Sequence, residues 1–247
     1  MPSVVVGVND AEIVELPAVE IPGQIDGRRI NYEAHDNHPT LKRAADTLSS
    51  GHTLFADVSR FRANPSDEDR AATHARKVRD MFSTSKAKWS QSITGLEAEL
   101  TGAIADAEAN LRDKAKLKAD PRYEGAILAK FVGMKPADQQ AMFGELITAG
   151  DGPSLAALLE APVVLTGLTV ERKIELKAAL CAKVAPKEVA LRDELVKAKQ
   201  TVADASIAAL QLEPAMLQWT GPGEWKDRAK EAAAKRAGNQ DATIKAA

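Results

Sequence analysis

Apolar residues recur every eleven positions along the first half of this chain. Val78, Trp89, Leu100 and Leu111 form one row, and Phe82, Ile93, Ile104 and Ala115 form a second four residues on. Ser85, Leu96 and Ala107 make a third. Eleven residues in three turns is about 3.67 per turn, so the seam hardly drifts around a straight α-helix. The pattern predicts one long helix over residues 65–120. Pro65-Ser66-Asp67-Glu68-Asp69 marks its start, with Ser66 as cap and three acids at the positive end of the dipole. Arg112, Lys114, Lys116 and Lys118 crowd the other end, and Pro121 is the expected stop. At ~1.5 Å per residue the rod would reach roughly 80 Å. Gly95 and Gly102 fall off the seam as bend points, each weakening the helix by about 1 kcal/mol relative to Ala.

A second long helical region is expected over residues 167–214. Its later half carries a heptad through Leu191, Leu195, Ala198, Val202, Ala205, Ala209 and Leu212. Pro186 either kinks this region or begins a fresh helix. The fold expected is mainly α: a long antiparallel helical hairpin or coiled coil, with a small helical knob and an extended N-terminal arm. Periods of eleven and seven do not match, so part of each seam should remain for other chains. The expected interface seam is Val78, Phe82, Trp89, Ile93, Leu96, Leu100, Ile104, Leu111, Leu191, Leu195, Val202 and Leu212.

The remaining segments are shorter. Residues 1–37 read as an arm, with β-prone runs at Val4-Val5-Val6 and Ile13-Val14 interrupted by Pro2, Pro17 and Pro22. Asp26-Gly27 signals a turn before a strand at Arg28 to Tyr32. The arm is either a flexible leader or a segment that orders by adding strands to a neighbour. Residues 38–64 read as a short helix from Pro39 to about Leu48, with Gly51 beyond its end, and a linker. Residues 121–166 form the knob, marked by Tyr123, Ile127, Phe131 and Val132, then Met142, Phe143, Leu146 and Ile147, then Leu155, Leu158 and Leu159. Residues 215–247 give a hinge at Trp219 to Gly223 and a basic helix from about Glu224 to Ala237.

Composition narrows the class. Of 247 residues, 28% are charged and 4% aromatic, a bias that suits long helices better than a compact α/β enzyme. A net charge of −2 gives no global pull toward nucleic acid or anionic membrane. The lone cysteine, Cys181, excludes an intrachain disulfide framework. No stretch approaches the ~20 apolar residues of a membrane span, and the N-terminus lacks signal-peptide features. A cytoplasm is the expected place of synthesis, and residence in an assembled particle would leave the same record.

Candidate chemistry is sparse. No phosphate-cradling glycine loop, dinucleotide fingerprint or two-histidine zinc helix is present in the sequence. His35 and His38, with Glu33 nearby, have the spacing of two metal ligands but lack an obvious partner pair, so a polar loop is the expectation. Cys181 lies among Leu180, Ala182 and Val184 and reads as a small buried apolar residue. The carboxylates spread over solvated helix faces, where no cleft raises a pKa. The expectation is therefore no enzyme, with no catalytic, cofactor-binding or metal-ligating residues. Arg76, Lys77 and Arg79 are the candidate phosphate contacts.

The stretch Leu155-Ala156-Ala157-Leu158-Leu159-Glu160-Ala161-Pro162, followed by Leu165-Thr166-Gly167-Leu168-Thr169 and a long helix, resembles segments of uncharacterised bacteriophage and prophage structural proteins. The resemblance covers roughly residues 123–212 and carries over no site residues. It implies a virion-associated protein, present in several copies, made in the host cytoplasm, that contacts copies of itself and other virion proteins. A head–tail junction, capsid-associated or fibre component is the expected role. The alternative is a helical nucleic-acid-binding, packaging or ejection factor using the basic start of the long helix.

Overall fold

The computed structural model describes residues 4–7, 13–16, 19–64 and 71–217. Among these the chain is mainly helical and divides into two compact units, residues 1–98 with 198–247 and residues 99–197. The expected start signal at Pro65 to Asp69, the hinge at Trp219 to Gly223 and the basic helix after it lie outside the described residues.

In the first unit, β1 (Val4–Gly7) and β2 (Ile13–Leu16) pair antiparallel, with Val4 opposite Leu16 and Gly7 opposite Ile13. Tight 3-10 turns follow at Gly23–Ile25, Gly27–Arg29 and Glu33–His35. They replace the strand expected at Arg28 to Tyr32. The Asp26 carboxylate accepts the Arg28 N–H at 3.0 Å and so closes a turn that an extended strand would forbid. Residues 19–37 also depart from a free extended arm, since Ile25 and Ile30 are buried and their turns pack on the next helix. Ser59 pins this segment: Val19 N–H donates to its hydroxyl at 3.1 Å, and the hydroxyl donates to the Val19 carbonyl at 2.8 Å. Ser59→Ala leaves both backbone groups of Val19 without this partner and should lower stability by about 1–2 kcal/mol, checked by urea denaturation. A loss under ~0.3 kcal/mol would show that water replaces the hydroxyl.

Helix α1 spans Pro39–Ala63, well past the short helix expected from the sequence. Gly51 does not stop it. A Cβ at Gly51 would sit 1.9 Å from the Trp89 ring, so the glycine is a seat for Trp89 inside the helix. Leu41, Ala44, Leu48, Phe55 and Val58 carry the buried face on through that seat. Helix α2 spans Ala71–Lys114. Phe61 meets His74 with ring centroids 5.0 Å apart, and Phe55 meets Phe82 and Trp89, each at 5.9 Å. These contacts step in opposite senses along the two helices, which therefore run antiparallel. The C-terminal part of α8 (Pro186–Leu217) completes this unit, burying Ala198, Val202, Ala205, Ala209, Leu212 and Met216. Helix α8 continues through Pro214 to Leu217, past the end expected near that proline.

The second unit begins with the end of α2. The helix stops at Lys114 rather than Pro121 because the chain turns back on itself: Leu117 N–H reaches the Arg112 carbonyl at 2.9 Å and Lys116 adopts a left-handed φ of 48°. Then come α3 (Glu124–Val132), α4 (Pro136–Ala149), α5 (Gly152–Glu160) and α6 (Val163–Thr166). Asp151 caps α5 by accepting the Ser154 N–H at 3.1 Å. Thr169 caps α7 (Val170–Val184) by accepting the Arg172 N–H at 3.3 Å. Pro186 opens α8 as a fresh helix, its missing N–H falling where no helical donor is needed. Leu111, Phe131, Phe143, Leu155, Leu158, Leu176 and Leu180 form the core, with the two phenylalanine rings 5.2 Å apart.

The seam residues are covered inside the chain. Val78, Phe82, Trp89, Ile93, Leu96, Leu100, Leu111, Leu195, Val202 and Leu212 are buried, while Ile104 and Leu191 are half-buried. The stripe expected to be left for other chains is thus largely filled at home. One physical reason is α1: its full length supplies Leu48, Phe55 and Val58 as a further apolar face.

Candidate functional site

Cys181, His35 and His38 are the described groups whose settings bear on chemistry. The Cys181 thiol is buried, and burial pushes its pKa up, away from the reactive thiolate. His38 stands at the N-cap of α1 without capping it, and desolvation, with His35 second, pulls its pKa down. His35 belongs to the preceding 3-10 turn. Among the described residues no group of three or more His, Cys, Asp or Glu side chains converges as a metal site would require.

Arg76, Lys77 and Arg79 are exposed on the first turns of α2, beside the buried His74, Ala75 and Val78. The alternation follows from the helix: the buried positions face α1 and the cations take the other side. His74 Nε2 lies 3.2 Å from the Arg62 carbonyl, which fixes the inner face of this turn. Asp80 is exposed next to Arg79 and offsets part of the charge.

Among the described residues, each unit carries a concave site. In the first, a groove of about 530 Å³ between α1 and α2 is lined by Arg43, Asp46, Ser50, Lys88, Trp89 and Gln91. Its charges are of both signs, and Trp89 is buried, so little of the ring is open to a ligand. In the second, a cleft of about 270 Å³ is formed by Arg112, Leu117, Ala156, Leu159, Glu160 and Lys177.

Among the described residues, the most exposed large apolar side chains lie in the second unit. Val163, Val164 and Leu165 are the first three residues of α6, and Val164 is 91% exposed. Val170 and Ile174 follow one turn apart on α7, and Val170 is 64% exposed. Helix α6 packs against α3, whose Val132 is also exposed. Pro162 and Gly167 bracket α6 and hold it to a single turn, too short to turn all three apolar side chains inward. Sequence reasoning missed this surface. Its signal was the unbroken run Val163-Val164-Leu165, three consecutive apolar residues that no single helical face can hide.

No family model, characterised protein or solved structure matches this chain. No described helix is long and apolar enough to cross a membrane.

Proposed function

We propose that this chain is a non-enzymatic structural protein of a bacteriophage particle, a head–tail junction, capsid-associated or fibre component that assembles through helical surfaces. The observation that carries the assembly reading is the apolar run Val163, Val164, Leu165, Val170 and Ile174, exposed on a packed helical core. Apolar patches of this kind are where soluble proteins meet partners. The virion setting, with synthesis in the host cytoplasm, rests on the resemblance of Leu155 to Thr169 to phage structural proteins. The same reading takes α2 and α8 as a long antiparallel hairpin with coiled-coil seams. It is supported by the Lys86–Glu213 ion pair in the first unit, by Lys114–Glu188 in the second, and by burial of the heptad Leu195, Ala198, Val202, Ala205, Ala209 and Leu212. The partner at the exposed run is a second copy of the chain, with other virion proteins as further partners.

Light scattering coupled to small-angle X-ray scattering tests this. The wild type should associate with rising concentration, and Val164→Asp with Ile174→Asp should abolish association while leaving the helical circular dichroism unchanged. A wild type that stays monomeric throughout would sink the self-assembly reading. The alternative, a helical nucleic-acid-binding or packaging factor, is favoured by one observation: Arg76, Lys77 and Arg79 all reach solvent within about one turn of α2. It requires steeply salt-dependent DNA binding that is lost when the three are replaced by Gln.

A further inference from the structure

We propose that the cleft formed by Arg112, Leu117, Ala156, Leu159, Glu160 and Lys177 binds an amphipathic anion, a carboxylate on a short alkyl chain. The site lies wholly in the second unit, where the last turn of α2 and the segment after it meet α5 and α7.

Charge is the first argument. Several cations of this unit are engaged: Lys114 pairs with Glu188, Arg172 with Glu175 at 2.8 Å, Arg192 with Asp193 at 2.6 Å, and Lys173 donates to the Ala161 carbonyl at 2.8 Å. Lys116 and Lys118, on either side of Leu117, carry no such pairing, but the cations that line the cleft itself are Arg112 and Lys177. Among the described residues, no ion pair or hydrogen bond engages either side chain, and both line the same cleft. Lys177 is half-buried, so its charge is partly stripped of water and gains more from a bound anion than a fully exposed lysine would. Arg112 adds a planar fork that matches the two oxygens of a carboxylate.

The lining supplies the second argument. Ala156 is buried, and Leu117 and Leu159 are partly buried against the core, so the rest of the cleft is hydrocarbon. A bare inorganic anion would leave that surface wet, whereas an alkyl tail would cover it. The cleft, of about 270 Å³, has room for a polar head with a short tail. Glu160 is the opposing group. It is exposed at the edge of the cleft, bound to neither cation, and its carboxylate repels an incoming anion. The site therefore discriminates by charge in a manner that mutation can read in both directions.

The full-length chain is titrated with octanoate, octanol and acetate, all below their aggregation limits, by calorimetry and by amide NMR shifts. Octanoate should bind with shifts confined to the cleft, while octanol and acetate should each bind at least about tenfold more weakly, one lacking the charge and the other the tail. Arg112→Gln and Lys177→Gln should each weaken octanoate about tenfold, and Glu160→Gln should tighten it severalfold. All three residues reach solvent, and circular dichroism confirms that the variants stay folded. Equal binding of octanol and octanoate overturns the proposal, as does weaker binding by Glu160→Gln. Absence of octanoate binding up to millimolar concentration overturns it outright.

Discussion

Phe55→Ala should remove about 3–5 kcal/mol from the stability of the first unit, the range for deleting a large buried aromatic ring. Phe55 is fully buried and touches two other rings, Phe82 in a tilted contact and Trp89 edge-on at 69°. Its loss therefore opens a cavity and removes two aromatic contacts of about 0.5–1.5 kcal/mol each, which lie within the total. Neighbours have little freedom to refill the space. Trp89 is already wedged against Gly51, and Leu48 and Val58 are fully buried. Urea denaturation followed by Trp89 fluorescence, with Trp219 and Trp225 replaced by Phe, reads the effect at the site. A cost below ~1 kcal/mol would mean that α1 and α2 do not share this core. Domains are commonly stable by only about 5–15 kcal/mol, so a loss in the expected range should bring the melting transition down by many degrees.

Gly152→Ala tests the second unit by the opposite physics, adding atoms rather than removing them. A Cβ on Gly152 would lie 1.7 Å from the Ala115 carbonyl oxygen and 2.9 Å from its carbon. Both are backbone atoms, so no rotamer change relieves the clash. The start of α5 must instead move away from the end of α2, where Lys116 already holds a left-handed φ of 48°. Overpacking of this kind costs about 1–3 kcal/mol, and the backbone obstacle argues for the upper end. Amide exchange should show the change first around Ala115 and Ser154 and leave the β1–β2 pairing unaffected. Wild-type stability in this variant would mean that the close approach of the two segments is not real.

Much of the helix pattern was legible in the sequence because burial in α2 obeys one period. The rows through Val78, Phe82 and Ser85 predict the buried positions, and only Ile104 falls short of full burial. Helix α1 was misread for a local reason. Its buried positions Leu41, Ala44, Leu48, Gly51, Phe55, Val58 and Arg62 keep alternating spacings of three and four. The glycine in the middle of that series looks like a stop until its neighbour is known, because a seat for Trp89 is a tertiary fact. The two prolines of α8 make a similar point: Pro186 opens the helix and Pro214 sits within it, and residue type alone does not separate those outcomes. The two unmatched seams are largely buried within the chain because α1, expected to be short, supplies a further apolar face along its full length. The cleft was illegible altogether. Arg112, Glu160 and Lys177 belong to three different helices, and only the fold of the second unit brings them together.

The clasp between Ser59 and Val19 has a consequence for which sequences this fold accepts. Both of its hydrogen bonds end on the main chain of residue 19, one on the N–H and one on the carbonyl. The contact is therefore blind to the side chain carried there. Position 19 can accept most residues that fit its half-buried setting, proline excepted because it has no N–H to give. Position 59 has far less latitude, since only a short hydroxyl-bearing side chain can both give and receive at that distance. The constraint on this end of the molecule is written forty residues away from the segment it restrains.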